Sequence, residues 1–199
     1  MTQLSQTLAG FVVDRSWLAE DRARRIAREA CEKATVTIAA GSLKAELRPL
    51  IRHLCASGQL TAGLVLRALL SGNIALFEEA LAELSGMPLA RVSALVHDRI
   101  GSGLRPLLEK AQLPAAMHAA FKEAIKAMRD GFAEALDGAR LQRRMVERVL
   151  AVCESADTGE IAPLITLLRR FATEAAREEA RQFCEEIAEP PRLIYSAAA

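Results

Sequence analysis

Groups able to carry acid–base or metal chemistry are few in this chain and poorly spaced for it. The histidines are His53, His97 and His118, and the cysteines are Cys31, Cys55, Cys153 and Cys184. No His-Glu-x-x-His run occurs, and no Cys or His pair has zinc-ligand spacing. His53 and Cys55, two apart on a predicted helix, point in different directions. No metal site is assigned. His97-Asp98 is an adjacent pair before a Gly-flanked loop, and could act in acid–base transfer or line a ligand-binding corner. The plainer reading is stronger: the helix dipole favours a cation at His97, and Asp98 caps the adjoining turn. The Ser-Gly pairs at 57–58, 71–72, 85–86 and 102–103 invite comparison with phosphate-cradling loops. Yet no Gly-x-x-x-x-Gly-Lys-Ser/Thr run exists and no strand precedes them, so they read as helix punctuation. No nucleophile, base and orienting group can be assembled. Catalytic, cofactor-binding and metal-binding residues are therefore none, and the chain reads as a non-enzyme.

The charged residues offer two further sites. Arg67 stands inside an otherwise apolar helix, with Glu78 or Asp98 in reach from the next layers. An Arg–carboxylate pair there would be a structural latch between helices. The sharper alternative lets Arg67, with Arg91 and His97, line a pocket for a small anionic ligand. Two helix faces are basic, Arg22/Arg25/Arg28 and Arg140/Arg143/Arg144/Arg148, and either could meet nucleic acid. Against this, 26 basic residues are matched by 25 acidic ones for a net charge of +1, without the basic excess of a phosphate-neutralising domain. No aromatics interleave with the arginines to stack bases. Solvated faces balanced by nearby acids are the simpler account.

The elements that must position these residues are helical. Ala, Leu, Glu and Arg dominate, aromatics are scarce at 4%, and residues 34–38 are the only fragment with strand character. The fold class is all-α, with about 8–10 helices. Asp14 or Ser16 can cap a first helix ending near Glu32, and residues 34–41 read as a looser connection. Ser42, with Glu46 placed for a capping box, opens a second helix that Pro49 kinks or restarts on its way to Ala56. Ser57, Ser71 and Ser85 then fall 14 residues apart, and Ser102 follows after 17. A fixed period with turn residues at the joints marks stacked helical repeats.

The first repeat helix, 60–70, is apolar almost all round and must be buried on several sides. The second, 74–84, carries Ile74, Phe77, Leu81 and Leu84 as a stripe. The third starts at Pro88 with Leu89, Val92, Leu95 and Val96 inward, and the fourth carries Leu104, Leu107, Leu108 and Ala111. Longer helices follow: 115–136 interrupted at Gly131, 139–154 with Leu141, Met145, Val149 and Val152 opposite the arginines, and 160–187 with the seam Leu164, Leu168, Phe171 and Ala175. The sections are thus 1–56, helices packing on the repeats; 57–114, the repeat block; 115–189, long helices; and 190–199, a loose tail. The four cysteines, each in an apolar helical setting, read as reduced, buried thiols. The first 13 residues make a poor signal peptide, and no apolar run reaches the roughly 20 residues of a membrane span.

The repeat block resembles a bacterial helical family, a domain of unknown function with HEAT-like packing. The resemblance rests on Leu66-Arg67-Ala68-Leu69, Gly72, Phe77-Glu78, Ala80-Leu81-Ala82, Leu84, Gly86, Pro88 and Arg91-Val92, and continues through Leu95, Asp98, Gly103-Leu104, Leu107, Ala111 and Leu113-Pro114. It departs from the pattern at Asn73, where Asp is expected, and at Gln112, where Gly is expected. It implies helical packing in a bacterial cytoplasm and carries no catalytic residue. The functional expectation is a cytoplasmic module that binds another protein, or a second copy of itself through the stripes of the last two helices. Nucleic-acid binding through the arginine faces and regulation by a small anion are the alternatives.

Overall fold

Left-handed residues close the helices at the joints that the Ser-Gly punctuation marks. Gly58, Gly72 and Gly86 have φ of 67°, 73° and 65°, a conformation that glycine adopts without a Cβ penalty. At the first two joints the backbone bonds repeat: Gly58 N–H to Cys55 O and Gln59 N–H to Leu54 O, then Gly72 N–H to Leu69 O and Asn73 N–H to Ala68 O, all between 2.8 and 3.0 Å. The fourth joint differs. Gly103 is right-handed at φ −83°, and Gly101 takes the left-handed place at φ 69°.

Residues 7–8, 10–11, 13–15, 19–41, 44–134, 138–156 and 161–188 are described in the computed structural model. Among them there are nine α-helices and no strand. In chain order these are α1 (Glu20–Gly41), α2 (Lys44–Ala56), α3 (Ala62–Leu70), α4 (Ile74–Ser85), α5 (Leu89–His97), α6 (Leu104–Lys110), α7 (His118–Ala133), α8 (Gly138–Ser155) and α9 (Ala162–Ala188). α3 packs on α1 and α4, α4 also receives α2, α5 and α6, and α8 lies between α7 and α9. One contiguous apolar core runs from Val36 on α1 to Phe171 on α9.

Several expectations are corrected. The connection at 34–41 is helical, because Glu32, Val36 and Ala39 continue one buried stripe of α1. α1 begins at Glu20, so Asp14 does not cap it; Ser16 and Ser42 lie outside the described residues. Pro49 sits within α2 without restarting it. Gly131 does not interrupt α7: it is buried, and a Cβ there would overlap Leu141, so the glycine lets α8 approach closely. On α8, Val152 faces outward and Cys153 takes the buried place. Leu89 is exposed, and Ile74, Leu84 and Leu95 are half-buried. All four cysteines are thiols, but Cys55 and Cys184 are exposed, Cys31 is half-buried, and Cys153 alone is buried, which pushes its thiol pKa up.

Both departures from the family pattern have a physical account. Asn73 caps α4, its Oδ1 accepting from Leu76 N–H at 3.1 Å, the bond an aspartate would make. Gln112 ends α6 at φ 56° and repeats the joint bonding, with its N–H on Glu109 O at 3.0 Å and Leu113 N–H on Leu108 O at 3.1 Å. A side chain in this conformation costs about 1–2 kcal/mol, and glycine returns part of that as unfolded-chain entropy. Gln112→Gly is therefore expected to stabilise by about 0.5–1 kcal/mol, raising Tm by roughly 1–4 °C. A lower Tm would show that the exposed glutamine has another job.

Candidate functional site

A partly buried polar cluster forms where α1, α3 and α9 meet. α3 starts at Thr61, whose Oγ1 accepts from Leu64 N–H at 3.1 Å and donates to Glu32 Oε1 at 2.9 Å. Two turns on, Arg67 is buried, its side chain 6% exposed. Its Nη1 donates to Glu174 Oε2 at 2.7 Å, and its guanidinium lies 4.1 Å from the centre of the Phe171 ring. Arg170, beside Phe171 on α9, pairs with Glu29 on α1. The latch foreseen for Arg67 thus exists with a different carboxylate. Glu78 and Asp98 do not reach it, since Glu78 turns to His97 and Asp98 lies in the turn after α5. Sequence reasoning placed Phe171 on the core seam of the last helix, but missed Glu32 and Glu174 as members of this cluster. Glu32 was findable as a charge on the stripe shared with Val36 and Ala39, once that helix is extended past residue 34.

Glu32 is 8% exposed, and burial raises its carboxyl pKa above 4.5 against the Thr61 hydrogen bond and the attraction of Arg67 and Arg28. A raised acid binds its proton more tightly in the folded chain, so its contribution is favourable below pH 4.5 and is lost as pH climbs through the folded pKa. Glu32→Gln keeps an acceptor for Thr61 and removes that loss. Melting curves of the two proteins should diverge in favour of the variant as pH rises from 4.5 to neutrality. Parallel curves would mean that the carboxyl is not strained by burial.

A cavity of about 630 Å³ opens beside this carboxyl, between Gly10, Val13 and Asp14, α1 and the corner from α2 to α3. Ala23, Ala27, Leu54 and Leu64 supply apolar wall, and the buried Glu32 and half-buried Thr61 supply polar groups.

The remaining candidates fall elsewhere. His97 Nε2 lies 2.9 Å from Glu78 Oε1, and Ser93 Oγ donates to the same oxygen at 3.2 Å. Both groups address the carboxylate, whereas a nucleophile relay needs the imidazole between hydroxyl and acid. Asp98 Oδ1 accepts from Ile100 N–H at 3.1 Å, the turn-capping role foreseen for it. Arg91 is exposed on α5, so Arg67, Arg91 and His97 face different neighbours and form no joint anion pocket.

The α8 arginines are engaged throughout. Arg140 pairs with Glu186, Arg143 with Glu147 and Glu179, Arg144 with Glu134, and Arg148 with Glu123 and Asp130. Hydrogen bonds donated by Arg143 to Glu147 and Glu179 hold its guanidinium yet more firmly charged, and Arg148 holds the Asp130 carboxyl below its ordinary value. The candidate basic face is thus balanced by acids, in keeping with the simpler account, through a seam of ion pairs joining α8 to α7 and α9. Among the described residues, no three His, Cys, Asp or Glu side chains gather to hold a metal, and no helix is long and apolar enough to cross a membrane.

The model of DUF2336, an uncharacterised protein family conserved in bacteria, matches residues 1–159. The chain belongs to that family. No curated protein and no solved structure matches it. The DUF2336 match reaches well beyond the stretch 57–114 that carries the resemblance, taking in α1, α2, α7 and α8. α9 lies outside it. Within the matched residues stand Glu29, Glu32, Thr61 and Arg67; their α9 partners Arg170, Phe171 and Glu174 come from beyond.

Proposed function

We propose that this chain is a non-catalytic, cytoplasmic helical-repeat module, HEAT-like in the pairing of α3 with α4 and α5 with α6, that works by binding protein. The observation supporting it is at the end of α9, where Phe183 and Ile187 are 55% and 68% exposed one helical turn apart. They continue the spacing of Ala176 and Ala180, and a shallow groove of about 210 Å³ runs beside Phe183, rimmed by Arg140, Arg143, Glu179 and Glu186. An apolar centre with an ion-paired rim is the anatomy of a protein interface.

The first partner is a second copy of the chain. The rim is charge-balanced, so two copies meet without like-charge repulsion there, and a net charge of +1 opposes association little. The inner stripes of α8 and α9 are spent on packing within the chain, so self-association uses the exposed end instead. Phe183→Asp should convert a dimer to a monomer in light scattering without lowering Tm. A wild type that stays monomeric at high concentration, and yields no partner lost on Phe183→Asp, would sink the proposal.

Nucleic-acid binding has less support, because Arg140, Arg143, Arg144 and Arg148 already answer carboxylates. Salt-sensitive binding to DNA at low ionic strength would revive it.

A further inference from the structure

We propose that the cavity beside Glu32 is a binding site for a small primary amine with a short apolar arm, its ammonium on the Glu32 carboxylate and its arm against Ala23, Ala27, Leu54 and Leu64. The size suits such a ligand: about 630 Å³ is within the range of small-molecule sites, which combine apolar walls with a few placed polar groups. The polar group here is unusual for its place. Glu32 occupies a core-stripe position of α1, where an apolar residue would pack without the cost of burying a carboxyl.

Its hydrogen bonding is half complete. Among the described residues, the hydroxyl of Thr61 serves Oε1, and no donor engages Oε2. That hydroxyl is also committed to capping α3, so it is fixed in place rather than free to turn. The Gly63 Cα faces the carboxyl without a side chain, since a Cβ there would stand 3.6 Å from Oε1 and 3.8 Å from Oε2.

The sign of the charge follows from the lining. Asp14, Glu20 and Glu32 face Arg24 and Arg28, and Arg24 is paired with Glu20. Asp14 and Glu32 then stand against the exposed Arg28; Arg67, which also attracts the Glu32 carboxylate from behind the lining, is itself answered by Glu174. The cavity carries an acidic excess and suits a cation.

The test uses the whole chain and three probes of equal length: hexylammonium, hexanol and hexanoate. Hexylammonium should bind saturably by calorimetry and raise Tm with concentration, hexanol should bind about tenfold more weakly or worse, and hexanoate should not bind. Glu32→Gln should lower hexylammonium affinity to that of hexanol. Ala27→Phe, which fills the cavity and leaves the carboxyl in place, should abolish binding of both and so assigns the site without touching the acid. Equal binding of all three probes, preference for hexanoate, undiminished hexylammonium binding by Glu32→Gln, or no saturable binding would each overturn the proposal.

Discussion

Arg67→Leu should destabilise the protein by about 3–4 kcal/mol, the low end of what is lost when one member of a buried ion pair is removed. Three losses add. Glu174 loses its 2.7 Å partner, the Phe171 ring loses the cation above it, and Glu32 loses a neighbouring positive charge. Glu174 is 29% exposed and recovers some hydration, which keeps the figure from the top of the range. The pH dependence should sharpen too: without Arg67 the Glu32 carboxyl is harder to ionise, so the variant loses more stability than the wild type between pH 4.5 and neutrality. Arg67→Leu with Glu174→Leu should recover much of the loss, because no charge is then left unpaired and Phe171 gains apolar neighbours. Chemical denaturation of the four proteins of this cycle measures the coupling. Unchanged melting, with loss of a bound partner instead, would overturn the latch.

Phe121→Ala should cost about 3–5 kcal/mol, the general price of removing a fully buried aromatic ring. Phe121 on α7 and Phe77 on α4 are both wholly buried, with ring centres 6.0 Å apart and planes inclined by 26°. They join the repeat helices to the long C-terminal ones at the middle of the shared core. The variant should therefore unfold at a lower temperature in a single transition. Two separated transitions would mean that the sections at 57–114 and 115–189 fold as independent units. Phe77→Ala should cost a similar amount, and the double variant should lose less than the sum, since the second truncation enlarges an existing cavity.

Much of the secondary structure was legible because its determinants are local. The helix at 74–85 was foreseen at 74–84, nearly to the residue, since an asparagine at its start and a glycine at its end act on backbone atoms a few positions away. The seam Leu164, Leu168, Phe171 and Ala175 was foreseen and is buried throughout. Helix α1 was cut short by its β-branched run at 35–38, because intrinsic preference is weaker than packing: Val36 and Ala39 are held by the core. The cysteines show the same limit. A setting of Ala, Leu and Phe along the sequence does not say which side of a helix faces out, and Cys55 and Cys184 do.

By itself the sequence determined an all-α fold, the helix joints at Ser57-Gly58, Ser71-Gly72 and Ser85-Gly86, and a chain without a recognisable metal or nucleophile motif. Only the tertiary structure decided which charges meet. Arg67 is answered by Glu174, 107 residues away, while Glu78, nearer in sequence, turns to His97. Four arginines that look like a basic face along α8 are neutralised from α7 and α9. Spacing along one helix encodes its own i,i+4 neighbours. The strength of a pair between helices depends on separation and on water removed, and neither exists until the helices pack.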